Sequence, residues 1–232
     1  MKRSKRYSEA FSKIDRLTQY SPEDAVKLLK SFPPAKFDET VELSMRLGVD
    51  PRHADQMVRG TVTLPHGTGR TVRILVLTKG EKVEQALNAG ADYAGLEEYV
   101  QKINDGWLDF DVIVASPDVM RDVGKLGRIL GARGLMPNPK SGTVTPDVEA
   151  AVNQIKAGKI DFRVDKTGII HSRVGKVSFD EQKIIENIQT FVRMIIKLKP
   201  ASAKGIYLKS ISLSSTMGPG VFLETSSSGY II

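Results

Sequence analysis

Residues 37–49, FDETVELSMRLGV, alternate with a period of two. Phe37, Val41, Leu43, Met45, Leu47 and Val49 share one parity, which only Glu39 breaks. Asp38, Thr40, Glu42, Ser44 and Arg46 share the other. Successive side chains of a strand point to opposite faces, so this pattern describes a strand in a sheet with one dry face and one wet one. Something apolar has to cover the dry face, and the rest of the chain must supply it.

Two amphipathic segments can do so. Ser21-Pro22 reads as an N-cap and first-turn proline. Ala25, Val26, Leu29 and Phe32 follow at helical spacing, and Pro33-Pro34 stops the helix. Glu23 and Asp24 suit its N-terminal dipole and Lys30 its C-terminal one. In DEQKIIENIQTFVRMIIKLK (180–199), Ile184, Ile185, Ile188, Phe191, Val192, Ile195 and Ile196 share one helix face, and Pro200 ends it. GTVTLPHGTGR predicts a short strand before a Gly-rich connection. DKTGIIHSRVGKVSF predicts two strands around a turn, and KGIYLKSISLSS and VFLE two more. The apolar parity slips between Leu208 and Ile211, which predicts a bulge.

The middle of the chain differs. VRILVL (72–77) and DVIVA (111–115) are short, nearly continuous apolar strands. Between and after them lie helical stretches at 81–90, 97–106, 116–130 and 145–159. That alternation predicts a parallel sheet buried on both faces by helices. The outer segments, 67 and 73 residues long, are short for separate domains but reach the usual domain size together. The expected fold class is therefore α/β with two domains. A discontinuous α+β sandwich domain from residues 1–67 plus 160–232 carries an inserted three-layer α/β domain, 68–159. The connections at 65–69 and 157–159 would act as a hinge.

The formal charge of +7 is unevenly spread. Residues 1–67 hold 12 Lys+Arg against 9 Asp+Glu, residues 68–159 hold 12 against 12, and residues 160–232 hold 10 against 6. The whole surplus lies in the two terminal segments, which points to a polyanion partner for the domain they would form. The absence of cysteine excludes disulfides, zinc–thiolate sites and thiol catalysis. The basic start has no apolar run of signal-peptide length, and no window approaches the roughly 20 apolar residues of a membrane span. The expectation is a soluble cytoplasmic protein without a membrane partner.

No catalytic constellation is visible. His53, His66 and His171 lack metal-ligand spacing, and neither a nucleophile elbow nor an HExxH helix is present. No catalytic residue, metal ligand or cofactor is assigned. HGTGR (66–70) lacks the third glycine of a dinucleotide fingerprint and the Lys-Ser/Thr of a P-loop, so it reads as a linker. An RNA-processing or nucleotide-dependent enzyme built on the middle segment would need a ligand set that is not visible there. GKLGRILGARGLMPNPKSGT (124–143) is open to two readings. One is a loop whose amides, with Arg128, Arg133 and Lys140, face phosphate. The other, favoured by the neutral charge of its segment, is a long connection that uses glycine for tight turns.

Two strand-end stretches fit RNA better. In AKFDET (35–40), Lys36 and Phe37 set an aromatic beside a cation, which suits stacking on a sugar or base. The parity of Phe37 equally suits a cap on the core. In SSTMGPG (214–220), three hydroxyl residues, an unbranched Met217 and the Cβ-free Gly218 and Gly220 make an uncharged surface open to close approach. Such a surface suits the shallow, ribose-lined groove of RNA. An ordinary turn into VFLE fits the composition as well.

AKFDETVE, VRGTVTLPHGTGR, DGWLDFDVIVASPDVM, GKLGRILGARGLMPNPKSGTV, FRVDKTGIIH and STMGPG, in this order from about residue 5 to about residue 223, resemble the bacterial L-one family of large-subunit ribosomal proteins, the universal uL-one family. The resemblance implies a non-enzymatic, ribosome-bound cytoplasmic protein, monomeric when free. It implies a split RNA-binding domain and an inserted Rossmann-like domain that holds no nucleotide. The implied partners are large-subunit rRNA of the mobile stalk, tRNA at the exit site, whose release is assisted, and the protein's own operon mRNA, whose translation is repressed. The implied RNA contacts are Lys36, Phe37, Glu39 and Thr40; Asp165, Lys166 and Thr167; and Ser215, Thr216, Met217 and Gly218. Ala132 stands where the family usually has proline, a change expected to loosen that loop.

Overall fold

The computed structural model describes residues 3–226 and Tyr230. The sequence assigns nothing to the tail TSSSGYII, of which residues 227–229 and 231–232 lie outside the described residues. The chain is mixed α/β with three sheets, and it falls into two compact units, Met1–Gly69 with Ile160–Ile232, and Arg70–Lys159.

The first unit opens with α1 (Lys5–Ser12), α2 (Pro22–Lys30), β1 (Thr40–Leu47) and β2 (Arg59–Thr63). The second holds β3 (Ile74–Leu77), α3 (Lys82–Asn88), β4 (Tyr93–Gly95), α4 (Glu97–Asn104), β5 (Val112–Ala115), α5 (Met120–Lys125), α6 (Gly127–Ala132) and α7 (Val148–Lys156). The chain then runs through β6 (Lys159–Arg163), β7 (Ile169–Lys176), α8 (Glu181–Lys197), β8 (Leu208–Ser215) and β9 (Val221–Leu223).

β1 lies inside an antiparallel sheet of order β7-β1-β8-β9. Val41, Leu43, Met45 and Leu47 are buried as their parity requires. They share one core with Ala25, Val26 and Leu29 of α2 and with Ile184, Ile188, Phe191, Val192 and Ile195 of α8. The Ser21 hydroxyl accepts from the Asp24 amide at 3.1 Å, so the predicted cap forms. Phe37 departs from its parity. The strand begins only at Thr40, and Phe37 is 54% exposed rather than capping the core.

Two bulges shape the sheet. Arg46 pairs with Ser210 and Leu47 with Leu208, which leaves Lys209 over, inside the window where the parity slips. On the other side Val41 pairs with Gly175 and Glu42 with Arg173, leaving Val174 over. The freed Val174 carbonyl accepts from Asn187 Nδ2 at 2.8 Å. Asn187 is fully buried on the apolar face of α8. It also donates to Gly67 O at 2.9 Å and accepts from the His66 amide at 3.2 Å. A polar residue on an apolar helix face is thereby satisfied, and residues 66–67 are tied to the helix.

In the second unit β3 lies between β4 and β5, all parallel. Leu75, Leu77, Ile113 and Ala115 pack with Ile103, Val123 and Leu130 of α4, α5 and α6. Ile74, Val76 and Val114 pack with Ala86 of α3 and Val148, Val152 and Ile155 of α7. Both faces of the sheet are thus covered, as the unbroken apolar runs demand.

Three local expectations change. DKTGIIHSRVGKVSF holds one strand, not two around a turn: Ile169–Lys176 runs unbroken along β1, and the bulge at Val174 takes up the irregularity. The stretch 117–132 is a 3-10 turn followed by two short helices broken at Leu126, between Gly124 and Gly127, where helix propensity is poorest. α1 and β4 carry no clear sequence signal: α1 is short and mostly polar, and β4 is three residues long.

Asn187→Leu is expected to strand the two carbonyls and one amide. At about 1–3 kcal/mol for each buried group that stays unpaired, it should lower the urea midpoint markedly. The Tyr207 hydroxyl is the opposite case: it is buried without a hydrogen-bond partner among the described residues, and burial pushes its pKa up to about 12. Tyr207→Phe should leave the midpoint unchanged or raise it.

Candidate nucleic-acid interface

At the Thr40 end of β1 the sheet continues into residues 215–218. The Thr40 amide donates to Thr216 Oγ1 at 3.0 Å, and the Thr216 amide donates to Thr40 O at 3.1 Å. This reciprocal pair extends the β1–β8 ladder by one step past Val41–Ser215. The Gly218 amide then turns back to Ser215 O at 3.1 Å. A Cβ at Gly218 would collide with Ser215 Oγ, and one at Gly220 would lie 2.8 Å from Ser212 Oγ, so a side chain at either position would force the facing serine hydroxyl to move.

Glu39 holds this loop from inside. It is 6% exposed, on the apolar parity just ahead of β1. The Met217 amide donates to its Oε2 at 2.9 Å and Arg6 of α1 to its Oε1 at 2.9 Å. Arg6 also donates to Met217 O at 3.4 Å and Pro33 O at 3.5 Å. Burial pushes the Glu39 carboxyl up. The Met217 amide, the Ser215 hydroxyl and Arg6 outweigh that and hold it below its ordinary value. Met217, by contrast, is 55% exposed with Thr216 beside it, and Lys36 and Phe37 are exposed at the same end. The expected contacts at this end therefore divide: Glu39 is an internal brace, while Thr216, Met217, Lys36 and Phe37 face outward.

Asp165, Lys166 and Thr167 lie elsewhere. Gly168 O accepts from the Leu47 amide at 2.8 Å, which fixes this turn at the other end of β1, about 23 Å from Thr40 at the usual rise per residue. Asp165 Oδ1 accepts from the Thr167 and Ile169 amides, each at 2.8 Å. The Ile169 amide and the Thr167 hydroxyl hold the Asp165 carboxyl below its ordinary value. An open cavity of about 750 Å³ adjoins this turn, with Arg52, Arg163 and Lys166 in its wall.

The wet face of the sheet joins the two ends. Register sets Glu42 between Arg173 and Ser214, Ser44 between His171 and Ser212, and Arg46 beside Ser210. Ser44 Oγ lies 3.0 Å from His171 Nδ1. From the alternation alone, Glu42, Ser44 and Arg46 read as a solvated face. The available signal was the strict alternation of Ser210, Ser212 and Ser214 beyond the bulge at Lys209. The surface that results is rich in short donors and acceptors, with cations mainly along β7 and at the far end.

The glycine-rich stretch of the second unit is held by its own hydrogen bonds. The amides of Leu130 and Leu135 bond back to Leu126 O and Leu130 O. Asn138 Oδ1 takes the Lys140 amide, and Thr143 Oγ1 takes that of Asn138. Ala132 is the last residue of α6. Among the described residues, no group of three His, Cys, Asp or Glu could hold a metal.

Comparison with known proteins gives a consistent result. A family model described as "Ribosomal protein L1p/L10e family" matches residues 29–219. A protein of Thermobifida fusca (strain YX), "Large ribosomal subunit protein uL1", is 60% identical over 221 residues, covering 95% of this chain and 94% of that relative.

Because the folded-state pKa of Glu39 lies below its ordinary value of 4.5, its contribution to stability is complete above that value. It is lost as pH falls through the lower folded value. Glu39→Gln should cost about 1–3 kcal/mol at pH 7. The gap between wild type and variant should narrow as urea denaturation is repeated toward pH 3. Midpoints that fall in parallel would mean that this carboxylate is not the brace.

Proposed function

The chain belongs to the ribosomal protein L1p/L10e family, and from that premise we propose that its β7-β1-β8-β9 face and the 215–218 loop bind large-subunit rRNA. As a member of this family the protein is a constituent of the large ribosomal subunit, bound to the ribosome in the cytoplasm. Its role there is structural, with no reaction assigned to it. Residues 1–67 plus 160–232 form the RNA-binding domain, and the inserted Rossmann-like domain, 68–159, is carried on it.

The observation that supports this reading is the uncharged, outward-facing Thr216–Met217 step, held rigid by a buried carboxylate at the end of a hydroxyl-lined sheet. RNA presents ribose hydroxyls and base edges in a wide, shallow groove. Short hydroxyl side chains and Cβ-free backbone can approach it closely, where long charged side chains would hold the surfaces apart. Thr216 and the wet-face serines exchange hydrogen bonds with ribose. Met217 and Phe37 cover apolar sugar or base surface. Lys36, Lys166 and the cations around Asp165 bring the polymer in. The target is the rRNA of the mobile stalk beside the tRNA exit site, where the protein assists release of deacylated tRNA. The same face binds a mimic of that rRNA in its own operon mRNA and represses translation. The free protein is a monomer.

Met217→Asp puts a charge against the polyanion without touching the core. It should weaken binding of the stalk rRNA fragment by about 100-fold or more, roughly 2.7 kcal/mol, while the thermal melt barely moves. A filter-binding assay with a melt checks both, and loss of folding instead would make the loop a turn only. A reporter that carries the protein's own messenger leader should lose translation when the wild type is added and keep it with Met217→Asp.

A further inference from the structure

Of the positive surplus of residues 1–67, more than all lies in the first 16 residues, which hold six Lys+Arg against Glu9 and Asp15. Residues 17–67 hold six against seven. The electrostatic attraction of this segment is thus concentrated on and around α1, a helix that the functional reading above uses only for Arg6.

Two of the cations here, Arg3 and Arg16, lie against aromatic rings. Tyr7 and Phe11 stack at 6.1 Å on one side of α1. The Arg3 guanidinium lies over both rings, 4.7 Å from Tyr7 and 5.1 Å from Phe11, and that of Arg16 lies 5.6 Å from Phe11. Arg3, Lys5, Lys13 and Arg16 are all exposed, and among the described residues no ion pair involves them. A guanidinium over an aromatic face keeps its full charge and much of its hydrogen-bonding edge, while its rotamer freedom is already reduced. That is a preorganised anion contact.

Its position is fixed as well. Arg6, on the same helix, donates to Glu39 Oε1 and to Met217 O, so α1 adjoins the 215–218 loop. We propose that α1 is a second, electrostatic contact for the same RNA, in which Arg3, Lys5 and Arg16 bind phosphates of the strand that runs outward from the ribose-contacting loop. This proposal rests on the RNA-binding reading and assigns its long-range attraction to particular residues. The loop supplies fit, and α1 supplies the salt-dependent part of the affinity.

The test is the salt dependence of binding to the stalk rRNA fragment by the full chain, with Arg3→Gln/Lys5→Gln/Arg16→Gln compared with wild type. Each phosphate contact removed should lower the slope of log K against log salt by about 1, so the triple variant should lose about 2–3 in slope and converge with wild type at high salt. Arg3→Lys/Arg16→Lys, which keeps the charge, should retain most of the slope. RNA crosslinks should fall on the peptide that holds α1. A wild-type slope and affinity in the triple variant, or crosslinks confined to the sheet face, would overturn the proposal. If Met217→Asp abolishes binding while the triple variant keeps its slope, this inference alone fails. If the wild type does not bind the fragment, the RNA-binding reading fails with it.

Discussion

A carboxylate buried at the edge of the core organises one end of the first unit. Glu39 occupies the apolar parity of β1, where an unpaired charge would be expensive. It is tolerated because the Met217 amide and Arg6 each contribute a charge-assisted hydrogen bond at 2.9 Å, with the Ser215 hydroxyl a further partner. The requirement runs in both directions. Residues 215–218 take their shape because the carboxylate demands an amide there, and α1 docks where Arg6 can reach it. One buried charge thus connects an N-terminal helix, the first strand and a loop more than 170 positions away along the chain.

The sheet behind it divides its two faces by chemistry. The dry face packs on α2 and α8, and its one helix-borne polar group, Asn187, is consumed by the bulge at Val174 and by residues 66–67. The wet face has no such cover in the described fold. It carries Ser44, Ser210, Ser212 and Ser214 in register, with His171 and Arg173 alongside. A sheet that only needed solubility could carry long charged side chains at these positions. Short hydroxyls leave the surface flat and close to the backbone, which is what an RNA groove can approach.

Charge and fit are therefore separated on the first unit. The loop at 216–218 and the serine rows are nearly neutral, and the cations stand around them: α1 near the loop, and Arg52, Arg163 and Lys166 at the far end of β1. Neutral contacts discriminate at short range, whereas counterion release acts regardless of nucleotide identity. The second unit has balanced charge, and both faces of its parallel sheet are buried.

Much of this was determined by local sequence. Period two in FDETVELSMRLGV, helical spacing in residues 180–199 and unbroken apolar runs at 72–77 and 111–115 each specify an element and its buried face, because side-chain direction follows from backbone geometry alone. The slip between Leu208 and Ile211 even located a bulge. Tertiary structure alone decided the rest. Glu39 looked like a flaw in the alternation and is a brace, Asn187 was lost among isoleucines, and Phe37 left the core because the strand starts later than its parity suggested. DKTG and STMG, both implied as RNA contacts by the resemblance, lie at opposite ends of β1, with Ser44, Ser210, Ser212 and Ser214 between them. A buried polar group is defined by its partners, and those partners are distant in sequence, so period and propensity carry no information about them.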